Sequence, residues 1–200
     1  MARTQRERRE ETVARLLDAS IDTIIDVGYA RASAAVITRR AGLSGGALFR
    51  HFDTMGEFMA ATAREVMRRQ LDAFGKQVAA IPPNQPALHG VLEAMRDITG
   101  NDTNVVMYEL LVAARTDDTL RGTLQDVLKE YSARILDAAR TLPTADEYPE
   151  ETLAAVVALV TNAFDGAAIV RAILPQPEIE AGRIPLLATL LTQGRGGTDA

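Results

Sequence analysis

The chain contains no cysteine and no tryptophan, and aromatic residues make up only 4% of its 200 residues. Without cysteine it cannot form disulfides or present a thiolate as a nucleophile or metal ligand. Its two histidines, His51 and His89, are too few for a conventional structural zinc site. The core must therefore be built from aliphatic side chains and methionine, a composition that suits packed helices.

The motifs that mark common enzymes are also missing. There is no phosphate-binding P-loop, no G-x-G-x-x-G run and no serine in the context of a nucleophile elbow. Acidic pairs such as Asp117-Asp118 and Glu150-Glu151 fall at predicted helix starts, where the helix dipole stabilises them. We therefore expect no catalytic residue, no bound metal and no cofactor, and an enzyme is the least favoured class of function.

The charge of the chain is unevenly distributed. Met1 to Arg9 is charged and is not followed by the apolar segment of a signal peptide, which predicts a cytoplasmic protein. The net charge is −5, yet residues 1–50 hold nine arginines and six acids, a balance of +3, and the rest of the chain carries −8. A basic head on an acidic body is typical of a DNA reader joined to a part that does not contact DNA. Chance asymmetry is the alternative.

Apolar residues recur at helical spacing along the whole chain, and no segment shows the alternation of a strand. Three prolines in Ile81–Pro86 break this pattern most clearly. Up to Glu11 we expect a polar arm. The predicted helices cover residues 11–27, 33–41, 44–52, 54–80, 87–99, 102–115, 117–142 and 150–174, followed by a short one that starts near Pro185. The sequence therefore predicts an all-α protein with a polar tail from Gly194.

Residues 33–52 indicate a helix-turn-helix. Ser33 is positioned to cap the first helix, and Gly42 follows that helix as a left-handed stop. Ser44 is positioned to cap a second helix that carries Leu48, Phe49 and Phe52. Two helices joined by a short turn with glycine form the DNA-binding helix-turn-helix, although an ordinary helical hairpin in an all-α protein has the same pattern.

Residues 12–59 resemble the N-terminal domain of the TetR family of bacterial transcriptional repressors. The match is carried by Gly28-Tyr29, Ser33, Ala41-Gly42-Leu43-Ser44 and the run Leu48-Phe49-x-His51-Phe52. The resemblance implies a three-helix DNA-binding domain over residues 1–54 and a helical-bundle domain for ligand binding and dimerisation over residues 55–200. It also implies a homodimer that binds a double-stranded DNA operator and is released by a small-molecule effector.

The resemblance places the DNA contacts around the turn and the second helix. The sequence departs from the family at Gly45, Phe49 and Met55, where lysine, tyrosine and lysine often contact phosphates. Arginines and backbone N–H groups must supply those contacts instead, and Ala47 can touch a thymine methyl group. The predicted DNA-binding residues are Arg31, Ser33, Arg39, Ser44, Gly45, Gly46, Ala47, Phe49, Arg50 and His51, with Arg40 a further cation on offer.

The segment from Thr152 to Leu174 is apolar on all sides. It is long enough to span a membrane, but Asn162, Asp165 and Arg171 within it disfavour that interpretation. We expect one face to pack in the core and another against a second subunit. Because Pro185 lies where a longer final helix would run, the details of such an interface stay open.

Polar or soft side chains on apolar faces are the candidates for an effector pocket, and core packing is the alternative for each. Asp165 is the candidate that core packing explains least well, because burying an unpaired carboxylate costs free energy. The candidates are Met95, Thr99, Met107, Tyr108, Tyr131, Asn162, Phe164 and Asp165. We favour an effector-released homodimeric repressor. The alternative is a helical ligand-binding or interaction protein with a degenerate helix-turn-helix.

Overall fold

The computed structural model describes residues 4–142 and 145–193, and within these ranges the chain is helical without strands. The all-α prediction is confirmed. The described residues contain eight α-helices: α1 (Gln5–Val27), α2 (Ala34–Arg40), α3 (Met55–Ala79), α4 (Ala87–Thr99), α5 (Asp102–Ala114), α6 (Asp118–Arg140), α7 (Glu150–Arg171) and α8 (Pro177–Gln193). Short 3-10 turns lie at Tyr29–Arg31, Leu48–Arg50 and Ala145–Glu147.

The chain divides into two compact units. The first comprises Met1–Arg69 and Asp102–Glu130, and the second comprises Gln70–Asn101 and Tyr131–Ala200. Helices α3 and α6 each contribute residues to both. The first unit therefore includes α5 as well as the predicted DNA-binding domain of residues 1–54, whose boundary stays a prediction about function.

The core of the first unit forms where α1, α2 and α3 meet. Leu16, Ile37, Leu48 and Phe58 are fully buried, and the ring of Phe58 packs against another aromatic ring, that of Phe52, with centroids 4.9 Å apart. Burying four large apolar side chains contributes roughly 1.5–3 kcal/mol each, which is an upper estimate because the unfolded chain already buries part of them.

Helix α1 begins six residues earlier than its apolar stripe indicates. The expected polar arm over residues 1–11 is wrong from Gln5 onward, and Met1–Arg3 lie outside the described residues. Thr4 forms a capping box: its Oγ1 accepts from Glu7 N–H at 3.2 Å, and its own N–H donates to Glu7 Oε2 at 2.7 Å. Reciprocal capping satisfies two free N–H groups and so lets this charged segment start the helix.

Glu65 on α3 is held between two arginines. Its carboxylate accepts two hydrogen bonds from Arg68 and one from Arg69, all at 2.8 Å, and Arg69 also pairs with Asp18 on α1. The hydrogen bond from Arg68, helped by the bond from Arg69 and by both positive charges, outweighs partial burial and lowers the pKa of Glu65 to about 2. This network ties α1 to α3.

We expect the Glu65→Gln variant to unfold a few degrees below the native protein at pH 7. A carboxyl whose pKa is lower in the folded state stabilises the fold above its ordinary pKa of 4.5, and that contribution is lost as the pH falls toward 2. The melting temperatures of variant and native protein should therefore converge between pH 5 and pH 2 in thermal unfolding followed by circular dichroism. Glu10→Gln, which removes an exposed pair with Arg6, should change little at any pH. A difference in melting temperature that stays constant from pH 5 to pH 2 would contradict the lowered pKa of Glu65.

The second unit packs α7 and α8 against α4. Its core cluster consists of Leu92, Val160, Phe164, Ile184 and Leu191. Gln70 is buried at the edge of this unit and donates to the carbonyl oxygen of Ile98 at 3.1 Å. A buried amide with such a partner costs little, so Gln70 fixes the end of α4.

Helix α8 differs from its prediction. It begins at Pro177 rather than near Pro185, and Pro185 lies inside it. A proline at the first position suits a helix start, and the interior proline is tolerated because Ile184 and Leu191 are buried on either side of it. Tertiary packing outweighs the local preference here. The predicted tail from Gly194 lies outside the described residues.

Helix α7 is long and apolar enough to span a membrane by length and composition alone, yet only 22% of its most apolar window is buried. Leu153, Val160, Phe164 and Ala167 form its buried face. The opposite face carries Leu159, 63% exposed, and Ile169, 50% exposed. The expectation of one core face is confirmed, and the other face is apolar and open.

Candidate nucleic-acid interface and effector site

The turn of the helix-turn-helix is fixed from both sides. Ser33 caps α2 as predicted, with its Oγ accepting from Val36 N–H at 3.4 Å. Gly42 has φ +63°, which confirms the left-handed stop after α2. Arg15 on α1 donates to the carbonyl oxygen of Ala41 at 2.5 Å. Arg15 thus gives a hydrogen-bond donor to a carbonyl group at the C-terminal end of α2, a role that its position in the sequence did not reveal.

The second helix of the motif is not a regular α-helix, so the prediction over residues 44–52 is wrong in detail. Residues 45–47 form a turn, and only Leu48–Arg50 are helical, as a 3-10 turn. Ala47 N–H bonds to the carbonyl oxygen of Ser44 at 2.9 Å, so the Ser44 main chain closes this turn. Gly45 and Gly46 explain the difference, because each glycine disfavours an α-helix by roughly 1 kcal/mol relative to alanine.

The structure exposes most of the predicted DNA-binding residues. The exposed members are Arg31, Ser33, Arg39, Ser44, Gly45, Gly46, Phe49 and Arg50. Ala47 differs: only 6% of it is exposed, because it packs beside the buried Leu48. Little of its methyl group is accessible, so the predicted contact with a thymine is not available in this conformation.

The arginines of the head are not equivalent. Arg40 pairs with Asp26, and Arg31 donates to the carbonyl oxygen of Val27 at 2.6 Å, at the C-terminus of α1. Within the described ranges neither Arg39 nor Arg50 has an ion-pair partner. The predicted contact of these two guanidinium groups with DNA would therefore break no internal ion pair.

His51 follows the 3-10 turn and is half-buried. Its Nδ1 is buried without a hydrogen-bond partner among the residues that the structure describes, while its backbone N–H bonds to the carbonyl oxygen of Leu48 at 3.0 Å. Because Nδ1 faces inward, Nε2 is the ring nitrogen that remains for the predicted contact with DNA.

The eight effector candidates do not form one group. Met107 and Tyr108 belong to the first unit, where Asn104 donates to the Tyr108 hydroxyl at 2.7 Å. In the second unit Phe164 is a core residue and Met95 packs against the same cluster. Thr99 is buried and donates to the carbonyl oxygen of Met95 at 2.9 Å, within its own helix. Packing or helix bonds account for these residues.

Asn162, Tyr131 and Asp165 differ from the others. Asn162 is exposed on α7, on the face opposite Phe164, so a place inside the bundle core is wrong for it. Burial, with the nearby charge of Asp165 as the second cause, raises the pKa of Tyr131 to about 12. Tyr131 and Asp165 are thus the two candidates that act on one another electrostatically.

Glu109 on α5 is a functional candidate that the sequence analysis missed. Its Oε2 accepts from Tyr29 N–H at 3.0 Å, at the turn that ends α1. A side chain at Gly28 would come within 3.4 Å of the same carboxylate, and the φ of +80° at Gly28 also requires glycine. The only acid in the apolar run from Val105 to Ala114 was the available signal. Glu109 joins α5 to the DNA-binding head.

Comparison with known proteins gives consistent matches. Residues 16–62 match the family model of bacterial regulatory proteins, tetR family. An HTH-type transcriptional regulator of Mycobacterium bovis is 70% identical over 194 residues, which cover 97% of this chain and 100% of that protein.

Solved structures of two proteins are similar in fold. A transcriptional regulator from Rhodococcus sp. RHA1 superposes with a TM-score of 0.71 at 21% identity, covering 91% of this chain and 96% of that one. The multidrug binding protein EbrR, in complex with imidazole, superposes with a TM-score of 0.64 at 20% identity, covering 89% and 93%. EbrR in complex with proflavin matches at a TM-score of 0.57 and 24% identity, covering 90% and 99%.

Proposed function

The chain belongs to the TetR family of DNA-binding transcriptional regulators, and from that premise we propose that it is a cytoplasmic repressor that binds a palindromic operator as a homodimer and leaves it when a small molecule binds. Its relatives are regulators rather than enzymes, and the chain is a regulator too. The observation that carries the proposal is the combination of an exposed helix-turn-helix with an exposed apolar face on α7 and α8.

The homodimer rests on that apolar face. Residues 159, 162, 166 and 169 are spaced at three, four or seven positions and so share one side of α7. Helix α8 adds exposed apolar side chains, with Leu186 59% exposed and Leu190 54% exposed. A contiguous exposed apolar surface marks an interaction site, and we infer that the exposed side chains of α7 and α8 form one. A second copy offers the matching surface through a two-fold axis.

The operator follows from the dimer and from the head. A two-fold dimer presents two copies of Ser44–Phe52, so its preferred DNA is palindromic. Arg39 and Arg50 supply the charged phosphate or guanine contacts, and backbone N–H groups supply the uncharged ones. Linking two half-sites raises the effective concentration of the second head, so dimerisation and operator affinity are lost together.

Effector release requires a ligand that binds the DNA-incompetent state more tightly than the competent one. Asp165 beside Tyr131 is a negative group in a half-buried position, which suits an effector with a positive charge. EbrR, a structural neighbour, binds the cationic dye proflavin. In the first unit α5 contacts α1, and Glu109 bonds to the turn after α1. A displacement of α5 by an effector would therefore shift α1 and the turn that follows it in the DNA-binding head.

We expect Asp165→Ala to weaken proflavin binding at least fivefold and to change operator affinity less than twofold. Removing the carboxylate removes the attraction for a cation without altering the head. Proflavin also intercalates into DNA, so dye fluorescence is titrated with DNA-free protein, and operator affinity is measured without dye. Asp126→Ala, which removes a carboxylate with 80% of its side chain exposed, is the control. Equal loss of both affinities, or loss of folding, would assign Asp165 a structural role.

A further inference from the structure

The predicted second helix of the helix-turn-helix, residues 44–52, is the reading element, and its first turn contains two adjacent glycines that the fold does not require. An added Cβ at Gly45 or at Gly46 would meet no atom within 4 Å. Among the described residues the glycines with positive φ are Gly28 and Gly42, so neither Gly45 nor Gly46 needs the left-handed region. Neither space nor backbone angle explains these two glycines.

The reading element is anchored at one end only. Leu48 is fully buried, and Phe52 packs on Phe58. The hydrogen bond from Phe52 N–H to the carbonyl oxygen of Leu48, 3.1 Å long, has the spacing of an α-helix. On the other side Ser44, Gly45 and Gly46 are exposed, and the bond that spans them, from Ala47 to Ser44, has 3-10 spacing. The first turn of the reading element, at residues 44–47, is therefore its least anchored part.

We propose that Gly45 and Gly46 set the operator affinity by keeping the first turn of the reading element non-helical in the free protein. This turn then becomes helical only when the protein binds DNA. Glycine loses more backbone freedom on ordering than any other residue. That loss is subtracted from the binding free energy at each half-site. The inference rests on the operator binding proposed above and deepens it.

DNA offers what the turn needs to become helical. An ordered helix N-terminus directs its free N–H groups outward, and a phosphate accepts from them while interacting favourably with the helix dipole. Arg39 and Arg50 bring that phosphate close by charge. The turn then reads the position of the phosphate backbone, and hence the local shape of the operator, because its own residues carry no long side chain.

The double variant Gly45→Ala/Gly46→Ala tests the proposal. Alanine favours the helix over glycine by a factor of about four at each position, so we expect the double variant to bind the operator at least tenfold more tightly as a dimer. Amide hydrogen exchange of residues 44–51, measured on DNA-free protein by mass spectrometry, should slow in the same variant. Native protein should show the same slowing only when the operator is added.

Gly122→Ala is the matched control, because Gly122 lies inside α6 and an added Cβ there also meets nothing within 4 Å. It should raise the melting temperature and leave operator affinity unchanged.

Weaker operator binding by the double variant would mean that the glycines serve close approach to DNA, and unchanged exchange in residues 44–51 would mean that the turn is already formed. Either result overturns the inference while leaving operator binding intact. Failure of native and variant protein alike to bind any palindrome would overturn the proposed function as well. Binding by the variant alone would support the inference.

Discussion

Replacing Leu159 by glutamate is expected to convert the protein from a dimer to a monomer and to lower operator affinity at least a hundredfold. Leu159 is 63% exposed on the open face of α7. In a two-fold dimer each copy would bury the new carboxylate without a partner, and the two like charges would lie close to one another. Burying an unpaired charge costs several kcal/mol, enough to dissociate a dimer that forms at micromolar concentration.

Sedimentation velocity measures the first effect and fluorescence anisotropy with a labelled operator measures the second. The native protein should sediment at about twice the 21.6 kDa mass of the chain, and the variant near that mass. Val112→Glu is the control: Val112 has the same 63% exposure but belongs to α5, which contributes no residue to the proposed interface. A native monomer, or a Leu159→Glu protein that stays dimeric, would show that the apolar face serves another partner.

Replacing Arg50 by alanine is expected to cost roughly 1–3 kcal/mol per half-site if this arginine pairs with a guanine, with weaker preference for that base pair. If it contacts phosphate instead, affinity falls evenly across sequences and the dependence on salt changes. With two to four charged contacts per subunit, a plot of log affinity against log salt concentration should have a slope of roughly −4 to −7 for the native dimer. In the Arg50→Ala variant the slope should become less negative by about one unit per subunit. Either effect would be large, because a dimer carries two copies of Arg50.

Arg40→Ala supplies the comparison for Arg50. Arg40 is exposed on the same head but pairs with Asp26, so its removal should change operator affinity less than twofold. Anisotropy titrations of operator variants at several salt concentrations separate the cases. If Arg50→Ala leaves affinity, base preference and salt slope unchanged, this arginine does not contact DNA.

The sequence predicted the helices well because apolar periodicity is a local signal. The caps at Ser33 and Gly42 and the break at Ile81–Pro86 were predicted for the same reason: each depends on the conformational preference of one or a few residues. The start of α1 was missed because the capping box of Thr4 and Glu7 lies in a segment whose charge suggested an arm.

The errors in detail lie where distant contacts decide the outcome. Pro185 fits inside α8 because packing of the flanking side chains outweighs a local preference. The burial of Ala47 depends on how the 3-10 turn packs in the folded protein, and helical spacing alone does not reveal it. Glu109 bonds to a residue 80 positions away in the chain. Contacts of this kind were not visible without the fold.

Binding of the native protein to the palindromic DNA upstream of its own gene tests the central claim most directly. Native mass spectrometry of the complex, together with an anisotropy titration, gives both stoichiometry and affinity. We predict two chains on each duplex of about 20 base pairs, saturable binding, and competition by the specific sequence but not by a scrambled duplex at physiological salt. One chain per duplex, or equal competition by both sequences, would contradict a homodimeric regulator that reads a palindromic operator.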